Sequence, residues 1–314
     1  MTDATPSPVG SSAPTTASGP GGSIYDLGYQ GYEGPRLGRR SAATALFTNT
    51  FKGCFGIGRG GRAKVAPLAL AGLTILPAIL AVGFAAIAAQ AGGALEAASP
   101  IKYSTYNQVV IVFLMLFCAA QAPELFGRDQ RYHVLPLYFS RAITRSDYAL
   151  AKVGGLFVAL LLVDLAPHVL LFFGRVLVAA DPVTGLRNEL PEVPKFVLQG
   201  LLTAGLLASI SSLISAWTPR RAYATAAIIA LLLISPIVVA LVAQLIGGDA
   251  AQLLILFSPG DLLEGTNAAI FGTEIGNPII ANLDISGLVY IGATLVLSGV
   301  AVVLTVRRYL RIAA

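Results

Sequence analysis

Six long apolar runs constrain this chain more than any other feature: Val65–Ala89, Tyr103–Ala122, Val153–Ala180, Phe196–Ala216, Ala222–Ile246 and Gly287–Val306. Each is close to or above the roughly 20 residues that a helix needs to cross a bilayer at about 1.5 Å per residue. Hydrocarbon offers no hydrogen bonds, so a spanning backbone must satisfy its own N–H and C=O groups, and such runs become helices. The fold class expected is an all-α membrane protein, a six-helix transmembrane bundle. Composition agrees: 12% of residues are charged, against about 25% in an average soluble domain, and the mean hydropathy is +0.75.

Basic residues set the orientation. Seventeen of the 21 Lys and Arg fall in residues 1–64, 123–152, 217–221 and the tail after Val306. The positive-inside rule therefore places both termini and the 123–152 segment in the cytoplasm. The stretch Gly247–Ser286 carries five acids and no basic residue and is expected outside. The net charge of +5 thus reads as topology, with no nucleic-acid footprint beside it. Abundant Ala and Gly, with Arg exceeding Lys, point to a high-GC bacterium and its cytoplasmic (inner) membrane.

Three regions follow. Residues 1–35 are Pro-, Ser-, Thr- and Gly-rich, lack the apolar core of a signal peptide, and are expected to be a disordered tail. Residues 36–64 surround Ser41–Phe55, where Phe47 and Phe51 repeat four apart among basic residues. That pattern fits a helix lying on the inner leaflet, or else a basic linker held near anionic lipid. Residues 65–314 hold the six spans. Pro77, Pro167 and Pro236 should kink their helices. Ala204, Ala208, Ser212 and Ala216 form a small-residue stripe for close helix approach, within one bundle or between subunits.

Between the second and third spans lies a charged segment, Pro123–Lys152. Glu124 closes the second span and is followed by Arg128, Asp129 and Arg131. An amphipathic stretch Tyr132–Phe139 comes next, with Val134, Leu135, Leu137, Tyr138 and Phe139 on its apolar side. Arg141, Arg145 and Lys152 complete it. Thr144 and Asp147 have the spacing of a capping box, so the third helix should begin about two turns before lipid. Topology needs cations but not interleaved acids and aromatics, and this mixture suits docking into a partner's groove.

These residues resemble the ABC-2 type permeases, the membrane subunits of one class of ATP-binding-cassette exporters. Leu137–Ser140, Arg141, Thr144, Arg145 and Lys152 line up with the end of that family's coupling segment. His133 stands where Gly is usual there, and Ala142 where Pro is usual. The similarity extends in layout over about residues 40–312 and implies an N-terminal interfacial helix, a cytoplasmic coupling helix and an outer re-entrant or lid segment. Ala251–Phe257 is too short to span, and Ser258-Pro259 has the form of a helix start. The resemblance further implies a permease subunit that couples ATP hydrolysis on a separate ABC ATPase to export. A second permease copy would complete it, as homodimer or heterodimer. The ATPase-coupling residues would be Glu124, Arg128, Asp129, Arg131, Tyr138, Arg141, Arg145 and Lys152.

The chain itself has no phosphate cradle of the GxxxxGK[ST] type, so ATP and Mg would belong to the partner and no cofactor is expected here. Gly56–Gly61 matches G-x-G-x-x-G, but no strand precedes it and a span follows. No nucleophile elbow or metal-ligand cluster is present, and catalysis within the chain is not expected. An ion- or proton-coupled secondary carrier, which should show internal symmetry, and a non-transporting anchor subunit are the alternatives. Within the third span, Asp164, His168 and Arg175 fall on one helical face. Charged groups in a span face the bundle interior or water. They are candidates for a translocation path, or for an Asp–His packing contact with Arg175 reaching the headgroups.

Overall fold

Helices make up nearly all of the described structure. The computed structural model describes residue 34 and residues 37–90, 102–140, 142–246, 248–277, 281 and 285–312. The expected tail 1–35 lies outside the described residues except for Gly34, as does Arg141. In chain order the helices are α1 (Gly38–Cys54), α2 (Arg62–Gln90), α3 (Tyr103–Arg131), α4 (Leu135–Phe139), α5 (Arg145–Val178) and α6 (Pro182–Glu189). There follow α7 (Val193–Trp217), α8 (Arg221–Ile229), α9 (Ser235–Ile246), α10 (Gly248–Ile255), α11 (Pro259–Phe271) and α12 (Gly287–Arg311). No strand occurs among the described residues, and six helices are long and apolar enough to cross a membrane. The protein is a multi-pass helical membrane protein.

The spans overrun the apolar runs at one end. α3 continues from Ala122 to Arg131, and α12 from Val306 to Arg311, carrying charged turns past the apolar stretch. α5 begins at Arg145, where the expected capping box forms. Thr144 Oγ1 accepts from the Asp147 N–H (3.2 Å), and Asp147 Oδ2 accepts from the Thr144 N–H (3.1 Å).

The prolines act differently. α2 and α5 run on through Pro77 and Pro167. The fifth span instead widens into a π-helical turn, Ala230–Ile234, just before Pro236. Pro236 cannot donate and its ring crowds the carbonyl four residues back, so the wider turn relieves both.

α5 and α7 form the centre of the bundle. α5 packs on α1, α2, α3 and α12, while α7 packs on α3, α5, α11 and α12. The stripe Ala204, Ala208, Ser212 and Ala216 is buried throughout, so its close approach is used inside the chain. The segment before α7 is also helical. Asp181 caps α6 by accepting from Val183 N (3.3 Å) and Thr184 N (3.0 Å), with Pro182 at the first helical position.

α1 is a helix and not an unstructured linker. Its apolar face lies on α5. A Cβ on Gly155 would fall 2.8 Å from Thr50 Cβ and 3.1 Å from the Phe47 carbonyl, so glycine is what admits this contact. At the far end α10 folds back on α9 and α11 packs on α12. Ser258 occupies the N-cap position of α11 with extended backbone, yet its hydroxyl makes no capping bond. That part of the expected helix start is not realised.

Candidate functional site

The segments rich in Lys and Arg converge on one end of the bundle. α3 ends there in Arg128 and Arg131, both exposed. A tight turn, Tyr132–Val134, reverses the chain into α4, and His133 takes φ +52°, the one non-glycine residue with positive φ among those described. Pro136 in the first turn of α4 suits a helix start, and the helix ends after a single turn. The result is a small knob between the second and third spans.

Buried polar bonds hold the knob from beneath. The Lys152 ammonium, 5% exposed, donates to Asp129 Oδ2 at 2.5 Å and to the Leu125 carbonyl. The Tyr148 hydroxyl donates to the same Asp129 oxygen at 2.7 Å. Lys152 also lies over the Tyr148 and Phe126 rings, at 5.1 and 5.8 Å. Removing one partner from a buried pair of this kind strands the other charge and costs about 3–5 kcal/mol. Tyr138 and Phe139 of α4 pack on the Tyr148 ring, at 5.3 and 5.8 Å between centroids.

The same corner reaches four more helices. Tyr148 meets Tyr309 of α12 at 5.1 Å. Gln130 Nε2 donates to the Tyr309 hydroxyl and to the Ala216 carbonyl, each at 3.1 Å. Arg145 donates to the Leu310 carbonyl at 3.0 Å and sits over the Phe139 ring. From α1, Arg39 grips Asp147 with two nitrogens, at 2.6 and 2.8 Å, a fork geometry that orders the start of α5. Glu124 bridges Arg59 (3.3 Å) and Arg221 (3.4 Å), tying the turn after α1 to the start of α8.

A cavity of 940 Å³ opens between α1, the end of α3 and the knob, lined among others by Leu46, Asn49, Arg59, Arg128, Tyr132 and Leu137. Burial pushes the Tyr138 phenol at its wall above the ordinary range, aided by the Asp129 charge. The proposed coupling residues thus divide. Arg128 and Arg131 are exposed at the tip. Leu137 and Tyr132 are 67% and 65% exposed. Glu124, Asp129, Lys152 and Arg145 are engaged inside the chain, and Tyr138 is half-buried. Sequence reasoning missed Arg39, Arg59, Gln130, Tyr148, Arg221 and Tyr309. Only Tyr148 carried a signal, one turn past the capping box and facing the same way as Lys152.

The three candidates of the third span also separate. Asp164 and His168 are buried, and His168 Nδ1 donates to the backbone carbonyl of Asp164 (2.7 Å), not to its carboxylate. Arg175 pairs with Glu189 (3.3 Å) and lies 5.1 Å over the ring of Tyr103, which itself stacks on His168 at 6.4 Å.

No protein-family model matches the chain, and no curated protein matches it in sequence.

Proposed function

We propose that the chain is the transmembrane subunit of an ABC transporter of the ABC-2 type, exporting a substrate as a separate ATPase subunit hydrolyses ATP. The observation that carries this reading is the knob. Its tip offers Tyr132, Leu137, Arg128 and Arg131 outward, while its base is locked to α5 by the Lys152–Asp129–Tyr148 bonds. A force applied at the tip would pass without slack to α5, through Tyr309 to α12 and through Arg39 to α1. An apolar and cationic tip over a rigid base is what a motor subunit needs to grip and move a bundle.

In this mechanism the ATPase sits in the cytoplasm with its ATP and Mg. Two permease copies, identical or not, contribute the two halves of the path. ATP-driven closure of the ATPase pair shifts the knobs, and the spans rock between inward and outward openings. The residues inside the knob transmit the movement, whereas those at its tip make the contact.

The test is reconstitution of the full chain with an ABC ATPase recognised by its own GxxxxGK[ST] sequence. The pair should co-purify and show substrate-stimulated ATP hydrolysis. Leu137→Arg and Arg131→Glu should each lower attachment at least about tenfold, the scale of 1.4 kcal/mol, while the variants still insert. Attachment and ATP-driven flux unaffected by both substitutions would remove the proposal. So would flux that runs without ATP.

A further inference from the structure

A second polar cluster lies within the bundle, centred on Asp164 and His168 of α5. Asp164 is 1% exposed, and neither of its carboxyl oxygens has a hydrogen-bond partner. His168 is fully buried and its Nε2 is equally unpartnered. Because the carbonyl at Nδ1 can only accept, Nδ1 carries a hydrogen and Nε2 is the nitrogen free to gain or lose one. Three rings enclose the imidazole: Tyr106 edge-on at 4.8 Å, with Phe196 and Tyr103 stacked at 5.5 and 6.4 Å. Such π faces favour a cationic ring. The carboxyl lies against α7, where a Cβ on Gly200 would come within 2.8 Å of Asp164 Oδ2.

The surrounding donors are engaged elsewhere, and the side-chain oxygen of Gln199 is itself buried without a partner. From α3, the Tyr106 hydroxyl donates to the Thr74 carbonyl of α2, and the Tyr103 hydroxyl to Glu189 of α6 (2.8 Å). Arg175 pairs with that same Glu189. From α7, Gln199 donates to Thr203 (3.1 Å). From α2, the Thr74 hydroxyl bonds the Ala71 and Val163 carbonyls.

We infer that Asp164 and His168 together hold one exchangeable proton, forming a proton-binding site inside the bundle. A carboxylate that accepts nothing is strongly disfavoured away from water, and so is a lone imidazolium. With one proton between them the pair is neutral overall, whether that proton sits on a carboxyl oxygen or on Nε2. With none or two, the interior carries a net charge. The donor set is one carboxyl and one imidazole, and no group of three His, Cys, Asp or Glu gathers among the described residues to hold a metal ion. Water entering from either end of the bundle would remove the reason for neutrality, so opening releases or takes up the proton.

The test uses the full chain in lipid nanodiscs without any ATPase, so its outcome is separate from that of the permease proposal. The chain has two histidines, and His133→Gln leaves His168 as the single imidazole. Nitrogen resonances report the proton on Nε2, and the infrared carboxyl band lost in Asp164→Asn reports the proton on the carboxyl. The expected result is a summed occupancy of one proton from pH 5 to 8, with His168→Gln confining it to the carboxyl. Should Asp164→Asn fail to insert, the band that changes in His168→Gln identifies Asp164 instead. An ionised carboxyl beside a bare Nε2 at pH 7, or two protons there, would overturn the inference. So would a carboxyl at Asp164 that is ionised at pH 7 in His168→Gln.

Discussion

Single side chains decide how rigid the knob is. Lys152 and Asp129 sit together at its base, with side chains 6% and 14% exposed. Lys152→Met or Asp129→Leu alone should destabilise the protein by about 3 kcal/mol or more, because each strands a buried charge. The double variant should lose clearly less than the sum, and denaturant unfolding in mixed micelles measures the difference. His133 marks the opposite case. Its left-handed backbone strains a residue with a Cβ, and glycine adopts that conformation without the strain. His133→Gly should therefore stabilise by about 0.5–1 kcal/mol in the same assay, the backbone relief exceeding the gain in unfolded-chain freedom.

At the scale of elements, α11 should respond to pH through Asp261. Burial pushes the Asp261 carboxyl up to about 6, with a smaller push from Glu264 and an opposing effect of the Ser258 hydroxyl. The folded chain then holds this proton at pH values where the unfolded chain has released it. Stability from this group is full below about pH 4 and falls as pH rises through about 6. The melting temperature of Asp261→Asn, minus that of the unaltered protein, should accordingly rise between pH 4.5 and 7. A constant difference across that range would show that α11 does not sense the proton. α1 depends on shape instead. Gly155→Val would push its branches into Thr50 and Phe47, so α1 should detach from α5 and expose Cys54 to thiol reagents.

For the whole molecule, the decisive arrangement is the gathering of the basic segments at one end. Arg39, Arg59, Arg145 and Arg221 all contact the corner where α3 meets α5, so the charge bias along the chain becomes one face. Its side of the membrane is tested by labelling. Both native cysteines are buried, and burial pushes the Cys54 thiol up to about 12, so neither should react quickly. Leu137→Cys and Val183→Cys place exposed thiols at opposite ends of α5. The first should label only from the cytoplasm and the second only from outside. The reverse result would put the knob beyond reach of a cytoplasmic motor.

Much of this was legible in one dimension. Apolar runs of sufficient length had to become helices, because nothing else satisfies a backbone in hydrocarbon. The Thr144–Asp147 spacing announced the start of α5 through local hydrogen bonds alone. Asp181-Pro182 carried the same kind of local signal for α6 and was overlooked. Contacts between distant residues had no such signature. Nothing in the order of residues marks Glu124 as partner to both Arg59 and Arg221, or separates Arg175 from Asp164 once Glu189 draws it away. Those pairings come from how the helices cross, and crossing depends on side-chain shapes meeting across the bundle. Hydrophobicity and capping act within a few turns of chain, so sequence carries them directly; burial and partner choice act through space, and only the folded packing decides them.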